Sequence, residues 1–446
     1  MTSIFDLIII GSGVAGKSLA SGFASKGKSV AVIEEDLWGG TCPNRGCDPK
    51  KVLHAAVEAM DKVKQLKGKG LEAEARINWS ELMAFKQTFT DPVSDQSRQG
   101  LEDAGVQTFT GSAHFIDATT IEVGADRLSG RQLVIASGAS PLLIDILGKE
   151  HFKTSDDFLS LPDLPESVTF VGGGYITFEL AAIASTAGAK VHVIQHNDKP
   201  LKAYDSELVE ELMNQLKGKG VQFHLNTALQ EIRQIDQGYL LKAGADFELQ
   251  TDLVFGATGR KPNTDALNLA AAGIDFDKKG VLVNAYMQTS NPSVFALGDV
   301  VSKTIPKLTP VAGFEASYLL DFLTGQTDEA ITYPPVPTIV FSSPKLAQVG
   351  VTRAEAEQSP DHYSVSTVDA GSWFSYSRIN EPVSKVTLVT DAQSGYLVGA
   401  ACLNQEADQL INDLTLLISR QVSTAELSRH IFAYPSIASD LPSLYN

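Results

Sequence analysis

The hydrophobic pattern opens with a continuous apolar run, Leu7-Ile8-Ile9-Ile10, that stops at Gly11-Ser12-Gly13-Val14-Ala15-Gly16. Such a run reads as a strand buried on both faces. Over residues 17–26, Leu19, Ala20 and Phe23 recur at helical spacing, so the stretch is strand, tight turn, helix. A second strand over residues 29–33 ends in Glu34, 18 residues beyond Gly16. The same order returns 161 residues later: a strand over 167–171, the loop Gly172-Gly173-Gly174-Tyr175-Ile176-Thr177, a helix over 178–187 and a strand over 190–194. The spacing predicts two nucleotide-binding units. Leu66-Lys67-Gly68-Lys69-Gly70 punctuates as a solvated loop after a helix, and Leu161-Pro162-Asp163-Leu164-Pro165 as the entrance to the second unit. From Thr332 the character changes to strand-like alternation, as in Lys385-Val386-Thr387-Leu388-Val389-Thr390, followed by a helix over 406–420. That stretch is a separate mixed domain.

Composition narrows the class. At 446 residues the chain holds about three domains, and 43% hydrophobic with 20% charged residues excludes disorder and collagen. With 36 Lys and Arg against 53 Asp and Glu, the net charge is −17. Nucleic acid and anionic membrane both favour a basic face, so neither is an expected partner. No apolar run approaches the roughly 20 residues of a spanning helix. Met1 leads directly into the strand Phe5-Asp6-Leu7-Ile8-Ile9-Ile10 without a basic leader, and the expectation is a cytoplasmic protein. Of three cysteines, Cys42 and Cys47 sit together. In a reducing compartment such a pair is redox-active or metal-binding more often than a structural staple.

A lone Gly-x-Gly-x-x-Gly is weak, but strand, loop, helix and a trailing acid together make a dinucleotide fingerprint. The glycines allow the tight turn and close backbone approach to a pyrophosphate at the helix N-terminus, and Glu34 accepts from ribose hydroxyls. The second unit has Thr177 at the third glycine position, and its second strand ends in Gln195-His196 rather than an acid. Without an acid there, His196 and Lys202 suit a 2′-phosphate, which favours NADPH over NADH; the plainer reading leaves both as surface residues. On an ideal helix Cys42 and Cys47 would lie more than about 7 Å apart, beyond the ~4.4–6.8 Å of a disulfide. A bond between them needs a distorted backbone, and Pro43 and Gly46 distort helices, while Pro49 suits a first helical turn. A metal site needs further Cys or His, and His54 stands alone on a helix face, so no metal is expected.

Gly39-Gly40-Thr41-Cys42-(four residues)-Cys47-Asp48-Pro49-Lys50, between two dinucleotide fingerprints, resembles the glutathione reductase and dihydrolipoamide dehydrogenase family of FAD-dependent pyridine nucleotide-disulfide oxidoreductases. Ile135-Ala136-Ser137-Gly138, Gly256-Ala257-Thr258-Gly259-Arg260-Lys261-Pro262-Asn263, Val294-Phe295-Ala296-Leu297-Gly298-Asp299 and Pro337-Thr338-Ile339-Val340-Phe341-Ser342 resemble further segments of that family, over nearly the whole chain. The resemblance implies an α/β fold with two Rossmann-like domains and a C-terminal α+β dimerisation domain. The FAD domain would span 1–142 and 262–330, the NAD(P) domain 143–261 and the dimerisation domain 331–446. It implies an oxidoreductase in which NADPH reduces FAD, FAD reduces a Cys42–Cys47 disulfide, and the dithiol reduces a small disulfide. Cys47 would lie nearer the flavin and Cys42 would attack substrate. FAD contacts carried over are Gly11, Gly13, Gly16 and Glu34, then Gly40, Thr41 and Lys50, then Ala113, Ser137, Gly138, Asp299 and Thr309. Pyridine nucleotide contacts are Gly172, Gly174, Tyr175 and Ile176, with His196, Lys202 and Gly259; Tyr175 gates the pocket, and Glu179 pairs with Lys50. A homodimer with a shared active site follows from the same resemblance.

The departures matter as much. Family disulfide reductases carry a C-terminal His-Pro whose histidine, from the partner subunit, acts on the leaving thiol. Here the stretch is Ala433-Tyr434-Pro435, with Ser439 where an orienting glutamate would be and Asp440 one place later. A phenol with a reference pKa of about 10 can donate but is a poor acceptor at neutral pH. Val14 and Ser21 replace residues that hold glutathione in glutathione reductases, which puts that substrate in doubt. Tyrosine at this position resembles mercuric reductases, yet their C-terminal cysteine pair is missing, and Cys402 lies in an apolar strand as a structural thiol. The leading expectation is a disulfide reductase with Tyr434 as proton donor. The alternatives are a metal-ion or quinone reductase using the same flavin and dithiol, and an FAD-binding redox sensor or scaffold. Asp48 beside Cys47 opposes thiolate formation unless Lys50 or Arg45 offsets it. Trp373, Phe374, Tyr376 and Arg378 form an aromatic and basic cluster suited to substrate recognition or interface packing.

Overall fold

A computed structural model describes residues 3–445. The described chain divides into two compact units: one takes residues up to Lys50, Phe85–Leu142 and Arg260–Tyr333, the other Lys51–Ala84, Leu143–Gly259 and residues from Pro334 on. No described helix is long and apolar enough to cross a membrane.

In the first unit the apolar run forms the central strand of a seven-stranded sheet. Ser3–Ile10 pairs in parallel with Val30–Glu34 on one side and Asp126–Ile135 on the other. Gln107–Thr110 extends the sheet in parallel beyond Val30–Glu34. The long strand Asp126–Ile135 carries two neighbours on its far edge: its first half pairs with Thr120–Val123 and its second half, in parallel, with Val294–Ala296. Leu7, Ile8 and Ile9 are fully buried, as a doubly covered parallel strand requires, and each such side chain contributes about 1.5–3 kcal/mol of burial. The helix Val14–Ala24 covers the sheet with Ala15, Leu19, Ala20 and Phe23. It begins three residues earlier than the periodicity predicts, because Gly13 itself is the N-cap residue.

The second unit repeats the scheme. A four-stranded parallel sheet runs in the order Val221–His224, Lys190–Ile194, Ser167–Val171, Leu253–Gly256, covered by the helix Tyr175–Thr186, whose residues are nearly all buried. A three-stranded antiparallel sheet from Glu231–Gln234, Tyr239–Ala243 and Phe247–Thr251 accompanies it. Residues after Pro334 form a five-stranded antiparallel sheet with Lys385–Asp391 and Leu397–Asn404 side by side. The helix Ala407–Arg420 lays Leu410, Ile411, Leu414 and Leu417 into the core beneath that sheet, an amphipathic stripe at helical spacing. The architecture is thus α/β with two Rossmann-like sheets and a mixed C-terminal domain.

Candidate functional site

Where a straight helix would separate the cysteines, the chain breaks. Thr41–Arg45 forms a short helix, Gly46 leaves helical geometry at φ −134° and ψ −118°, and a new helix, Cys47–Leu66, starts at Cys47. A Cβ on Gly46 would lie 2.9 Å from the Thr41 carbonyl oxygen and 3.1 Å from the Cys42 Cα, so only glycine allows the two turns to fold this close. The Asn44 amide donates to the carbonyls of Trp38 (3.0 Å) and Gly40 (2.8 Å), fastening the turn from inside. Cys42 and Cys47 are present as half-buried thiols rather than a disulfide. The Cys42 thiol is pushed up by its hydrogen bond to Cys47, then by burial, with Asp48 adding to the effect and the Thr309 hydroxyl opposing it. Cys47 opens a 20-residue helix, the end at which negative charge is favoured, and its sulfur lies 3.8 Å from Thr309 Oγ1. Asp48 Oδ1 lies 3.9 Å from Cys42 Sγ, and Arg45 is ion-paired with Asp36.

This segment is pinned to the first fingerprint. Gly40, at φ +72°, packs so that a Cβ would fall 2.6 Å from the Gly13 Cα. Ser12, fully buried, accepts from Gly39 N at 2.9 Å and donates to Glu34 Oε2 at 2.7 Å. Glu34 also accepts from Ser12 N (2.9 Å) and Asp36 N (3.0 Å). These use three of about four acceptor positions on a carboxylate, and the fourth suits a ribose hydroxyl. A Cβ on Gly11 would meet the Ala136 carbonyl at 2.3 Å, and one on Gly16 the Gly11 carbonyl at 2.0 Å, whereas one on Gly13 would meet nothing within 4 Å. That open space at the N-terminus of an 11-residue helix is the cradle a pyrophosphate needs, so these residues fit FAD. Ala113 is buried in the strand Ala113–Phe115, and Thr41 is exposed at the start of its helix. The Ser137 hydroxyl donates to the Asn263 carbonyl (2.7 Å) and the Asn263 amide returns a bond to Ser137 O (2.8 Å), next to Gly138 at φ +70°.

Asp299 sits on a single turn after Gly298, whose φ of +76° favours glycine. Glu315, fully buried, accepts from Gly298 N at 2.7 Å, from Tyr333 Oη at 2.7 Å and from Lys303 Nζ. Lys307 Nζ donates to the Asp299 carbonyl at 2.7 Å, and burial pulls its ammonium down. Ser12, Asn44, Glu315 and Lys307 are absent from the sequence-based expectations. Ser12, a lone hydroxyl between two fingerprint glycines, carried a local signal; Glu315 and Lys307 carried none.

In the second fingerprint a Cβ on Gly172 would meet the Ala257 carbonyl at 2.3 Å, while one on Gly174 would meet nothing within 4 Å. The missing third glycine has a structural explanation: Thr177 donates its hydroxyl to the Gly172 carbonyl at 2.7 Å, the carbonyl corresponding to the one that crowds Gly16 in the first unit. Tyr175 is partly exposed and Ile176 packs against the core. Gln195 is buried and donates to Asn197 Oδ1 at 2.8 Å, leaving His196 and Lys202 exposed; Gly259 is also exposed. Glu179 is buried and accepts from Phe341 N at 2.9 Å. Lys50 lies in the first turn of the Cys47 helix.

Tyr434 is 71% exposed, its ring parallel to Phe374 at 6.2 Å. Tyr376 is fully buried, so the predicted aromatic cluster divides between surface and core. Burial pushes Asp440 up, and Ser375 faces its carboxyl. His430 Nδ1 lies 3.0 Å from the Glu426 carbonyl oxygen of its own turn. His54 is buried against the Ser342 carbonyl at 2.8 Å, and Cys402 is fully buried. Among the described residues no three His, Cys, Asp or Glu gather as a metal site.

Comparison with known proteins points to one family. Residues 5–316 match the pyridine nucleotide-disulphide oxidoreductase family and residues 336–444 its dimerisation domain, which fits a homodimer. The chain is 32% identical over 449 residues to a mercuric reductase of Lysinibacillus sphaericus, covering 98% of this chain and 81% of that protein. It is 31% identical over 448 residues to a glutathione reductase of Burkholderia cepacia, covering 99% and 98%. The HOCl-induced flavoprotein disulfide reductase RclA of Escherichia coli shares the fold, with TM-score 0.90 at 24% identity over 99% of both chains. With two nucleotide cradles, a cysteine pair across a helix break and matches over nearly its whole length, the chain belongs to the pyridine nucleotide-disulphide oxidoreductases, the flavoprotein enzymes that couple a pyridine nucleotide to a dithiol.

Proposed function

We propose that this enzyme reduces a small disulfide at the expense of NADPH, through bound FAD and the Cys42–Cys47 pair, in the reducing compartment that its sparse cysteines suit. The observation that carries the reading is the helix break at Gly46, which folds Cys42 back beside Cys47 at the start of a 20-residue helix. Bound FAD would supply the two-electron chemistry that links the nucleotide to the Cys42–Cys47 pair. The residues of the chain do the rest. Gly11, Gly13 and Gly16 admit the pyrophosphate, Glu34 accepts from the ribose, and Asp299 takes the ribityl and phosphate region, with Lys50 beside the ring. Gly172 and Gly174 admit the second pyrophosphate, Tyr175 covers the nicotinamide, and exposed His196 and Lys202 face a 2′-phosphate with no competing acid at Gln195. Cys42 attacks the substrate disulfide and Cys47 resolves the mixed disulfide. Tyr434 of a partner subunit donates a hydrogen bond to the departing thiol, which its exposure in the single chain permits.

Cys42→Ser tests this. The variant should keep flavin reduction by NADPH and lose at least about 100-fold in disulfide turnover; undiminished turnover refutes the reading. Tyr434, in place of a histidine, favours a second reading in which a metal ion is reduced and no leaving thiol needs a proton. Turnover with Hg(II) but with no disulfide, unaffected by Tyr434→Phe, would select it.

A further inference from the structure

No histidine stands at the acid–base position of the exchange. Tyr434 stands where the family resemblance places an acid–base histidine, and a phenol does not accept a proton at neutral pH. Yet Cys42 must lose its proton to attack, and its contact with Cys47 and its burial raise its thiol. Among the described residues, the Asp48 carboxylate lies within hydrogen-bond reach of its sulfur, with Oδ1 3.9 Å from Cys42 Sγ. Asp48 is the second residue of the helix opened by Cys47, so the break at Gly46 that brings the two thiols together also turns this carboxylate back over Cys42. It is exposed, and an arriving disulfide can reach it. Arg45, the guanidinium in the same segment, is ion-paired with Asp36.

Resting on the disulfide-reductase reading above, we propose that Asp48 is a catalytic residue, the proton carrier of the exchange. Its carboxylate accepts the proton of Cys42 as the Cys42 sulfur attacks one substrate sulfur. A Cys42–substrate disulfide forms, the substrate S–S bond breaks, and the departing thiolate receives that proton from Asp48. The Cys47 thiolate then attacks Cys42 Sγ, closing the Cys42–Cys47 disulfide and expelling the second thiolate, which takes its proton from solvent. Two electrons pass from the dithiol to the substrate, and Asp48 ends as it began. The fixed charge of Asp48 alone has the opposite consequence, because an anion beside Cys42 disfavours its thiolate. The two roles therefore differ in the sign of the effect when Asp48 is neutralised.

The test uses the holoenzyme with NADPH, as wild type, Asp48→Asn and Asp48→Glu, with rates normalised to bound flavin. Two disulfides are compared: hydroxyethyl disulfide, whose alkyl thiolate must be protonated to leave well, and an aromatic nitrobenzoate disulfide, whose thiolate leaves unprotonated. Asp48→Asn is expected to lower kcat/KM for hydroxyethyl disulfide about 10- to 100-fold, with the aromatic disulfide changed by less than about 3-fold and Asp48→Glu restoring part of the loss. Equal losses with both disulfides, or faster reduction of both, overturn the proposal. So does a wild type active on the aromatic disulfide alone, which leaves the disulfide-reductase reading standing. A wild type whose flavin is reduced by NADPH but which reduces neither disulfide overturns that reading first, and the carrier with it.

Discussion

Glu315 is the buried carboxylate on which the Gly298–Asp299 turn hangs, and Glu315→Ala should cost the first unit dearly. The side chain is fully buried and accepts from Gly298 N, Tyr333 Oη and Lys303 Nζ. Its removal leaves the Lys303 ammonium, only 9% exposed, without a counter-charge, a loss of about 3–5 kcal/mol. The Gly298 N–H would also lose its partner, at about 1–3 kcal/mol if water does not replace it. The two terms share one network and do not simply add, so the expected loss is about 4 kcal/mol. The assay is a urea titration of the holoenzyme followed by released-flavin fluorescence, read beside protein fluorescence. Glu315→Ala should release FAD at lower urea than wild type and before the rest of the chain unfolds, with Glu315→Gln between. Replacing the pair together, by Glu315→Leu and Lys303→Met, should recover most of the stability, because the uncompensated charge is gone. A Glu315→Ala protein within about 1 kcal/mol of wild type, or a pair replacement as unstable as the single variant, would show that the buried Glu315–Lys303 pair does not hold this turn.

Two further consequences can be checked directly. Thr177→Val removes the hydroxyl bond to the Gly172 carbonyl while keeping the volume, so it should cost about 1–2 kcal/mol and weaken NADPH binding, measured by quenching of flavin fluorescence, without altering FAD content; unchanged affinity would remove Thr177 from the nucleotide loop's support. Glu381 is pushed up to about 7 by burial, against the Gln405 backbone N–H that donates to it at 2.5 Å. The folded state therefore holds a proton that the unfolded chain releases near its ordinary carboxyl pKa, and this residue's contribution falls as pH rises from about 4.5 to about 7. Glu381→Gln should gain stability relative to wild type across that window, by at most about 3 kcal/mol above pH 7, and a difference independent of pH in urea unfolding would contradict the burial argument.

The parts of this molecule legible in its sequence are those where backbone geometry restricts residue choice. Gly11, Gly16, Gly46 and Gly172 stand where a Cβ would strike a backbone atom, and the fully buried strand Leu7-Ile8-Ile9-Ile10 has no polar face to blur its pattern. The helix Ala407–Arg420 was legible within one residue because its buried leucines and isoleucine recur at helical spacing. The helices Trp79–Thr90 and Val93–Asp103 and the strand Asp126–Ile135 went unread. That strand carries Ser129, Arg131 and Gln132 among its apolar residues, and its two halves pair with different neighbours, so no single period runs through it. Thr177 looked like a broken fingerprint because local spacing records the missing glycine and not the hydroxyl bond that replaces its close approach. Glu315 and Lys303 lie 12 residues apart, and nothing local marks them as a buried pair. The cysteine pair was visible; the side-chain direction that sets Asp48 against Cys42 belongs to the helix break and only the structure displays it.

In the proposed mechanism the cysteine pair and FAD form one two-stage electron store. Anaerobic titration of the purified holoenzyme with NADPH measures it, by counting electron pairs accepted per FAD and recording the long-wavelength absorbance of a thiolate against the flavin. Two pairs per FAD with that band are expected, and Cys42→Ser should accept one. A wild type that accepts a single pair, with no long-wavelength band, would show that Cys42 and Cys47 are not coupled to the flavin and would contradict the account.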